Sequence, residues 1–419
     1  MIVDGKLRVP GDKSISHRAL MLAALAEGTS RVRGLLASAD VKSTALVLRG
    51  LGVPVPDVSA GEIVVRGVGR RGLRGSAADL DCGNSGTTAR LMTGILAASS
   101  FSSRLVGDAS LSRRPMQRVA RPLVAMGARI DFERGDGLPM TIRGGPLKGL
   151  TWHSETASAQ VKSAILLAGL VADVPVEIHE PVATRDHTER MLRARGVDVR
   201  TEGLAVTLLP AARLDAADTD VPGDPSSAAF FAALAALADR GSIEIDHVCI
   251  NPSRAGAFHV LSRMGALVGY EDAGADGGEP VARLVVSPRP LAGTTIEPAE
   301  VPSLIDELPV LACVASRAAG ETRVTGAAEL RVKESDRIAT IVKNLRAIGA
   351  DAEELPDGFI VRGTDRPFRG RVTTEGDHRI AMAFGVLGAL DGNAIEVDDR
   401  ACVAVSYPDF WSDLARVRR

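Results

Sequence analysis

Basic side chains recur where apolar helices are expected to begin. Lys13 and Arg18 flank the start of one Ala- and Leu-rich run, and Arg90 sits early in a second. Lys162 and Arg379 hold similar places in two others, and Lys333 and Arg337 precede or open a further helix. A helix N-terminus is already positive, so a lone cation there is disfavoured. Taken singly, each reads as a surface charge whose stem covers apolar surface. Taken together, with the unbonded N–H groups of the helix starts, they read as a site for multiply charged anions. The segment Gly83-Asn84-Ser85-Gly86-Thr87-Thr88-Ala89-Arg90 adds glycines and hydroxyls that let a ligand approach the backbone. Its spacing fits neither a nucleotide P-loop nor a dinucleotide fingerprint.

Carboxylates interrupt this basic set. Asp306 stands where an inner helix opens, which suits either a cap or a base. Glu334 and Asp336 lie in Arg331-Val332-Lys333-Glu334-Ser335-Asp336-Arg337, suited to surface ion pairs or to proton transfer among cations. His378-Arg379 reads as a core pair or as part of the same chemistry. His187-Thr188-Glu189-Arg190 reads as an exposed helix edge. HExxH and CxxC are absent, and no metal is expected.

The elements that must position these groups repeat. A small or acidic turn leads into an apolar helix at Ala19–Ala26, Ala89–Ala98, Ala164–Val171, Ala228–Ala238, Leu308–Ala315 and Ile380–Leu390. An amphipathic helix follows each one: Val41–Leu51, Met116–Met126, His187–Arg195, Ala257–Met264, Arg337–Ile348 and Tyr407–Val417. All but the last are followed by a glycine suited to a left-handed C-cap. Short β-rich runs, such as Ile63–Val65, Thr141–Arg143, Val206–Leu209, Arg283–Val286 and Gly358–Val361, lie between. Successive copies fall roughly seventy residues apart. The pattern predicts two three-repeat halves, with buried helices inside and sheets outside. Gly and Pro around Val221-Pro222-Gly223-Asp224 mark the hinge.

Composition excludes several classes. The 419 residues carry a net charge of -2 and only 3% aromatics, so base-stacking surfaces and nucleic-acid partners are not expected. The longest apolar runs fall short of the ~18 residues of a membrane span, and the N-terminus has no signal-peptide core. Four scattered cysteines fit a reduced, cytoplasmic protein. No heptad seam appears, so a monomer is the expectation.

In order along the chain, several motifs resemble the 5-enolpyruvylshikimate-3-phosphate synthase family. They are Pro10-Gly11-Asp12-Lys13-Ser14-Ile15-Ser16-His17-Arg18, the Gly83–Arg90 segment and Ser112-Arg113-Arg114-Pro115-Met116. Next come Ser158-Ala159-Gln160-Val161-Lys162-Ser163, Thr184-Arg185-Asp186-His187-Thr188 and Gly223-Asp224-Pro225-Ser226-Ser227. Leu330–Arg337, Gly376-Asp377-His378-Arg379-Ile380-Ala381-Met382 and Tyr407-Pro408-Asp409-Phe410 complete the series.

The resemblance implies an α/β, two-domain inside-out barrel, the enolpyruvyl transferase fold, with six βαβαββ repeats, three per domain. Residues 12–222 would form one domain. Residues 1–11 and 223–419 would form the other, with a two-crossing hinge and closure over the substrates. It implies transfer of the enolpyruvyl group of phosphoenolpyruvate to shikimate 3-phosphate, with no cofactor. Lys13, Ser14, Arg18, Ser158, Ala159, Gln160, Arg185, Asp306 and Lys333 would hold shikimate 3-phosphate. Lys13, Asn84, Gly86, Arg114, Gln160, Arg337 and Arg379 would hold phosphoenolpyruvate. Asp306 would deprotonate the 5-hydroxyl, and Glu334, with Lys13 or His378, would move the methylene proton.

Val405 and Ser158-Ala159-Gln160 resemble the family's second class, often less sensitive to glyphosate, whereas Gly86 is the ordinary residue; sensitivity stays open. Two rivals remain. A UDP-N-acetylglucosamine enolpyruvyl transferase normally carries a reactive Cys on its loop, and 107–114 has none. A non-catalytic anion-binding repeat protein would leave Asp306, Glu334 and His378 unexplained.

Overall fold

The computed structural model describes residues 1–59, 61–211 and 213–419. Its α-helices fall into six pairs. They are α1 (Lys13–Leu25) with α2 (Ala39–Gly50), α3 (Gly86–Ala97) with α4 (Gln117–Ala125), and α5 (Ala159–Ala172) with α6 (His187–Arg193). Then come α7 (Pro225–Leu237) with α8 (Gly256–Met264), α9 (Leu308–Ala315) with α10 (Arg337–Ala347), and α11 (His378–Gly388) with α12 (Phe410–Arg416).

The first helix of each pair has almost no polar side and is buried nearly throughout: α1 from Ile15 to Leu25, α7 from Pro225 to Ala236, and α9 along its whole length. The second has one apolar stripe. In α10, Ile338, Ile341, Val342 and Leu345 are buried at helical spacing while Lys343 faces water. The glycines after α2, α4, α6, α8 and α10 take positive φ: Gly52 (85°), Gly127 (109°), Gly196 (78°), Gly265 (120°) and Gly349 (91°). A Cβ is strained there, which is why these helices stop where they do.

Each full repeat runs strand, inner helix, parallel strand, outer helix, antiparallel hairpin. Strand 150–153 pairs in parallel with 176–179, and 205–208 joins antiparallel between 176–179 and 199–202. Strands 295–296, 321–324, 358–362 and 351–355 repeat that order, as do 80–81, 102–106, 140–143 and 129–132. Two repeats borrow their first strand from elsewhere in the chain. Strand 219–220 lies parallel to 27–33, next to α1, and strand 2–7 lies parallel to 240–249, next to α7.

The ends of the pattern are thinner than six complete repeats. Among the described residues, 62–68 is the one strand following α2, and the last repeat keeps only the parallel pair 369–372 and 394–397. There the chain ends, and Val3 bridges Arg418 instead.

Two compact units result: 11–221 with 275–279, and 1–10 with 222–274 and 280–419. In the first, α3 packs tightly on α5. A Cβ on Gly94 would fall 2.1 Å from the Ala164 carbonyl oxygen, so only glycine permits that approach. In the second, α7, α9 and α11 pack on one another as the core. None of the four cysteines is in a disulfide. Among the described residues, no helix is long and apolar enough to cross a membrane, and no cluster of His, Cys, Asp or Glu is arranged to hold a metal ion.

Candidate active site

In the first unit the inner helices start on capped turns. Asp12 accepts from the Ile15 N–H at 2.8 Å, Ser85 from Thr88 at 3.1 Å, and Ser158 from Val161 at 3.4 Å. These caps fix where the first turns begin, and so where their side chains sit. Lys13, the first residue of α1, donates to Asp40 Oδ2 at 3.0 Å. One turn later, Arg18 is buried, and its Nη1 donates to the Ser14 carbonyl at 2.9 Å. Burial pulls the Arg18 pKa down to about 10, with Arg185 nearby adding to that effect.

Arg90 donates from Nη1 to Gln160 Oε1 at 2.6 Å, and Gln160 Nε2 donates to Thr87 Oγ1 at 3.0 Å. The starts of α3 and α5 are therefore tied together. Arg114 Nη2 donates to Asn84 Oδ1 at 2.7 Å, and Asn84 Nδ2 to Asp108 at 2.6 Å. Gly86 lies beside both guanidinium groups: a Cβ there would fall 3.1 Å from Arg90 Nη1 and 3.5 Å from Arg114 Nη1. Ser158 and Ala159 are half-buried at the start of α5, and the Ala159 carbonyl accepts from Ser163 Oγ at 2.7 Å.

In the second unit, carboxylates and cations interleave. Arg337, only 1% exposed, donates from Nε to Asp377 at 2.7 Å, from Nη2 to Glu334 at 2.7 Å, and from Nη1 to Asp306 at 3.2 Å. Burial alone would lower the Arg337 pKa; Asp377, Glu334 and Asp306 outweigh it and hold the pKa above its ordinary value. Asp377 caps α11 through the Arg379 N–H at 2.9 Å. Burial would raise its pKa, but Arg337 and then His378 outweigh that and hold the carboxyl below its usual range. Lys333 Nζ stands 3.5 Å from Asp306 Oδ1, Arg379 Nη2 stands 3.9 Å from Oδ2, and Arg379 Nη1 donates to the Asp306 carbonyl at 3.1 Å. His378, the first residue of α11, is buried beside Asp377.

The structure departs from the sequence reading at three places. Lys162 is not part of an anion site: it is buried and paired with Glu180 at 2.8 Å and Glu189 at 2.7 Å. His187 is no exposed edge; it is fully buried, with Nδ1 2.7 Å from Glu279 Oε1. Asp306 is not a helix cap, because α9 starts after Glu307, and Asp306 turns to Arg337 and Lys333 instead. Arg337, expected at the phosphoenolpyruvate site, is already hydrogen-bonded to three carboxylates through Nε, Nη1 and Nη2.

From sequence alone, Asp377, Asp40, Thr188 and Ser163 had no role of their own, although all but Asp40 lie in the motifs above. The first had a signal: Gly-Asp precedes α1, α7 and α11 at Gly11-Asp12, Gly223-Asp224 and Gly376-Asp377, and each Asp caps its helix. A cavity of about 570 Å³ does open in the first unit, but at the far ends of α3 and α5, beside Arg70, Arg71 and Phe101. None of the residues above lines it.

One unit gathers guanidinium groups and an amide at helix starts, and the other holds a carboxylate among cations. Groups of the first kind suit small, multiply charged anions, and a carboxylate among cations suits proton transfer. Residues 2–414 match the family model described as EPSP synthase (3-phosphoshikimate 1-carboxyvinyltransferase). A 3-phosphoshikimate 1-carboxyvinyltransferase of Sulfurihydrogenibium sp. is 49% identical, over 100% of this chain and 98% of its own length. One from Alkalilimnicola ehrlichii is 50% identical, over 97% of this chain and 91% of its own. The solved EPSP synthase of Acinetobacter baumannii superposes with a TM-score of 0.88 at 43% identity, covering 100% of this chain and 96% of that one. The chain belongs to the EPSP synthase family, and its fold is the two-domain α/β enolpyruvyl transferase fold.

Proposed function

We propose that this chain transfers the enolpyruvyl group of phosphoenolpyruvate to the 5-hydroxyl of shikimate 3-phosphate, releasing phosphate, in the shikimate pathway to aromatic amino acids. The observation that carries the reading is Asp306, a carboxylate flanked by Lys333, Arg337 and Arg379. Such surroundings suit a group that takes a proton while negative charge develops nearby.

Lys13, Ser14, Arg18, Ser158, Ala159, Gln160, Arg185 and Lys333 hold shikimate 3-phosphate. Lys13, Asn84, Gly86, Arg114, Gln160, Arg337 and Arg379 hold phosphoenolpyruvate. Asp306 takes the proton of the 5-hydroxyl as its oxygen bonds to C2 of phosphoenolpyruvate. Glu334, assisted by Lys13 or His378, delivers a proton to C3, giving a tetrahedral intermediate with a methyl group. Loss of phosphate from C2 and of a proton from C3 then forms the enol ether. The protein works as a monomer in the cytoplasm.

The acceptor decides the reading. With phosphoenolpyruvate and an equimolar mixture of shikimate 3-phosphate and UDP-N-acetylglucosamine, mass spectrometry should find the enolpyruvyl ether of the first only. An enolpyruvyl ether of the sugar nucleotide would overturn the assignment.

A further inference from the structure

Arg18 is a buried cation held entirely by neutral groups. It is 4% exposed, and its Nε donates to Thr188 Oγ1 at 2.7 Å. Its Nη2 donates to Ser163 Oγ at 2.8 Å and its Nη1 to the Ser14 carbonyl at 2.9 Å. Ser163 and Thr188 lie 2.8 Å from each other, closing a triangle of hydrogen bonds with the guanidinium. Both hydroxyl residues are only 1% exposed.

The contrast is Lys162, one residue before Ser163, which is buried against two carboxylates. Lys162 has its counter-charge built in. Arg18 hydrogen-bonds no carboxylate; Glu189, Asp12 and Glu279 act on it only through their charge, and a buried cation without a directly paired anion is costly. A guanidinium carries five N–H groups in a rigid fork. Three of Arg18's are used, leaving one on each terminal nitrogen, an arrangement that matches two oxygens of a phosphate or carboxylate.

We propose that Thr188 and Ser163 are positioning residues for the acceptor substrate: they fix the plane of the Arg18 guanidinium without neutralising it. Its two remaining N–H groups are then presented to an oxyanion of shikimate 3-phosphate. The proposal rests on the reading of Arg18 as a shikimate 3-phosphate ligand. Neutral acceptors are essential to it, because a carboxylate at either position would take the place of the substrate's charge.

The test is steady-state kinetics on three variants. Thr188→Val keeps the shape and removes the hydroxyl. It should raise KM for shikimate 3-phosphate about tenfold or more, with kcat and KM for phosphoenolpyruvate within about twofold, since a hydrogen bond to a charged group is lost. Thr188→Ser, which keeps the oxygen, should restore the wild-type KM. Ser163→Ala removes a single oxygen, so it carries the test if Thr188→Val fails to fold, and it should shift the same constant in the same direction. An unchanged KM for shikimate 3-phosphate, a parallel rise in both KM values, or no rescue by serine would overturn the proposal. Arg18→Gln, run alongside, separates the two claims. If it leaves KM for shikimate 3-phosphate unchanged, the reading of Arg18 is wrong; if it raises that KM while the hydroxyl variants do not, only the positioning role is wrong.

Discussion

Arg337 donates to Asp306 Oδ1 at 3.2 Å while its Nε is held by Asp377 at 2.7 Å. The guanidinium thus ties a carboxylate just before α9 to the cap of α11. Lys333 stands 3.5 Å from Asp306 Oδ1 and Arg379 3.9 Å from Oδ2, so cations surround the carboxylate proposed to take the proton.

Asp306→Ala should therefore lower kcat by about 10²–10⁴-fold, the usual worth of a general base, while both substrates still bind. Rapid-quench turnover and calorimetric binding check this together. Turnover near wild type would remove Asp306 from the chemistry.

Gly86→Ala tests the pair of guanidinium groups beside α3. The new Cβ would meet Arg90 Nη1 at 3.1 Å, so the guanidinium must shift by a few tenths of an ångström. The helix itself accepts alanine readily. We expect a modest rise in KM for phosphoenolpyruvate and a larger rise in the inhibition constant of glyphosate. Equal weakening of the two would contradict the role given to this position.

His17 gives a pH-dependent stability. It is fully buried, its Nδ1 lies 2.6 Å from Thr44 Oγ1, and burial pushes its pKa down to about 3. Between that value and the unfolded ~6.5, the unfolded chain binds the proton and the folded chain does not. The stability from this group is complete above ~6.5 and is lost as pH falls, by about 1.4 kcal/mol per unit. Urea midpoints from pH 7.5 to 5.0 should fall in the wild type and fall less steeply in His17→Asn. Equal slopes would show that His17 is not the titrating group.

Lys162→Met should destabilise by about 3–5 kcal/mol, because Glu180 and Glu189 would be left buried together without their cation. Denaturant unfolding measures this directly. A change below ~1 kcal/mol would mean that the pair is solvated.

The repeats were legible because they depend on local pattern. An apolar run with no wet side announced each inner helix, and a glycine announced the end of five outer ones. Side-chain pairing was not legible, because it is decided across long sequence separations. Lys162 and Arg18 both follow a helix start and looked alike. What distinguishes them is Glu180 and Glu189 for one, and Ser163 and Thr188 for the other. His187 looked exposed until Glu279, ninety-two residues on, was seen to bury with it. The start of α9 was readable after all: Pro309 suits the first turn, which places Asp306 outside the helix.

The most direct measurement is phosphate release by the purified protein. With phosphoenolpyruvate and shikimate 3-phosphate together, one phosphate should appear for each enolpyruvyl ether formed, and either substrate alone should give none. Phosphate release without the acceptor, or binding of both substrates with no release at all, would contradict the account.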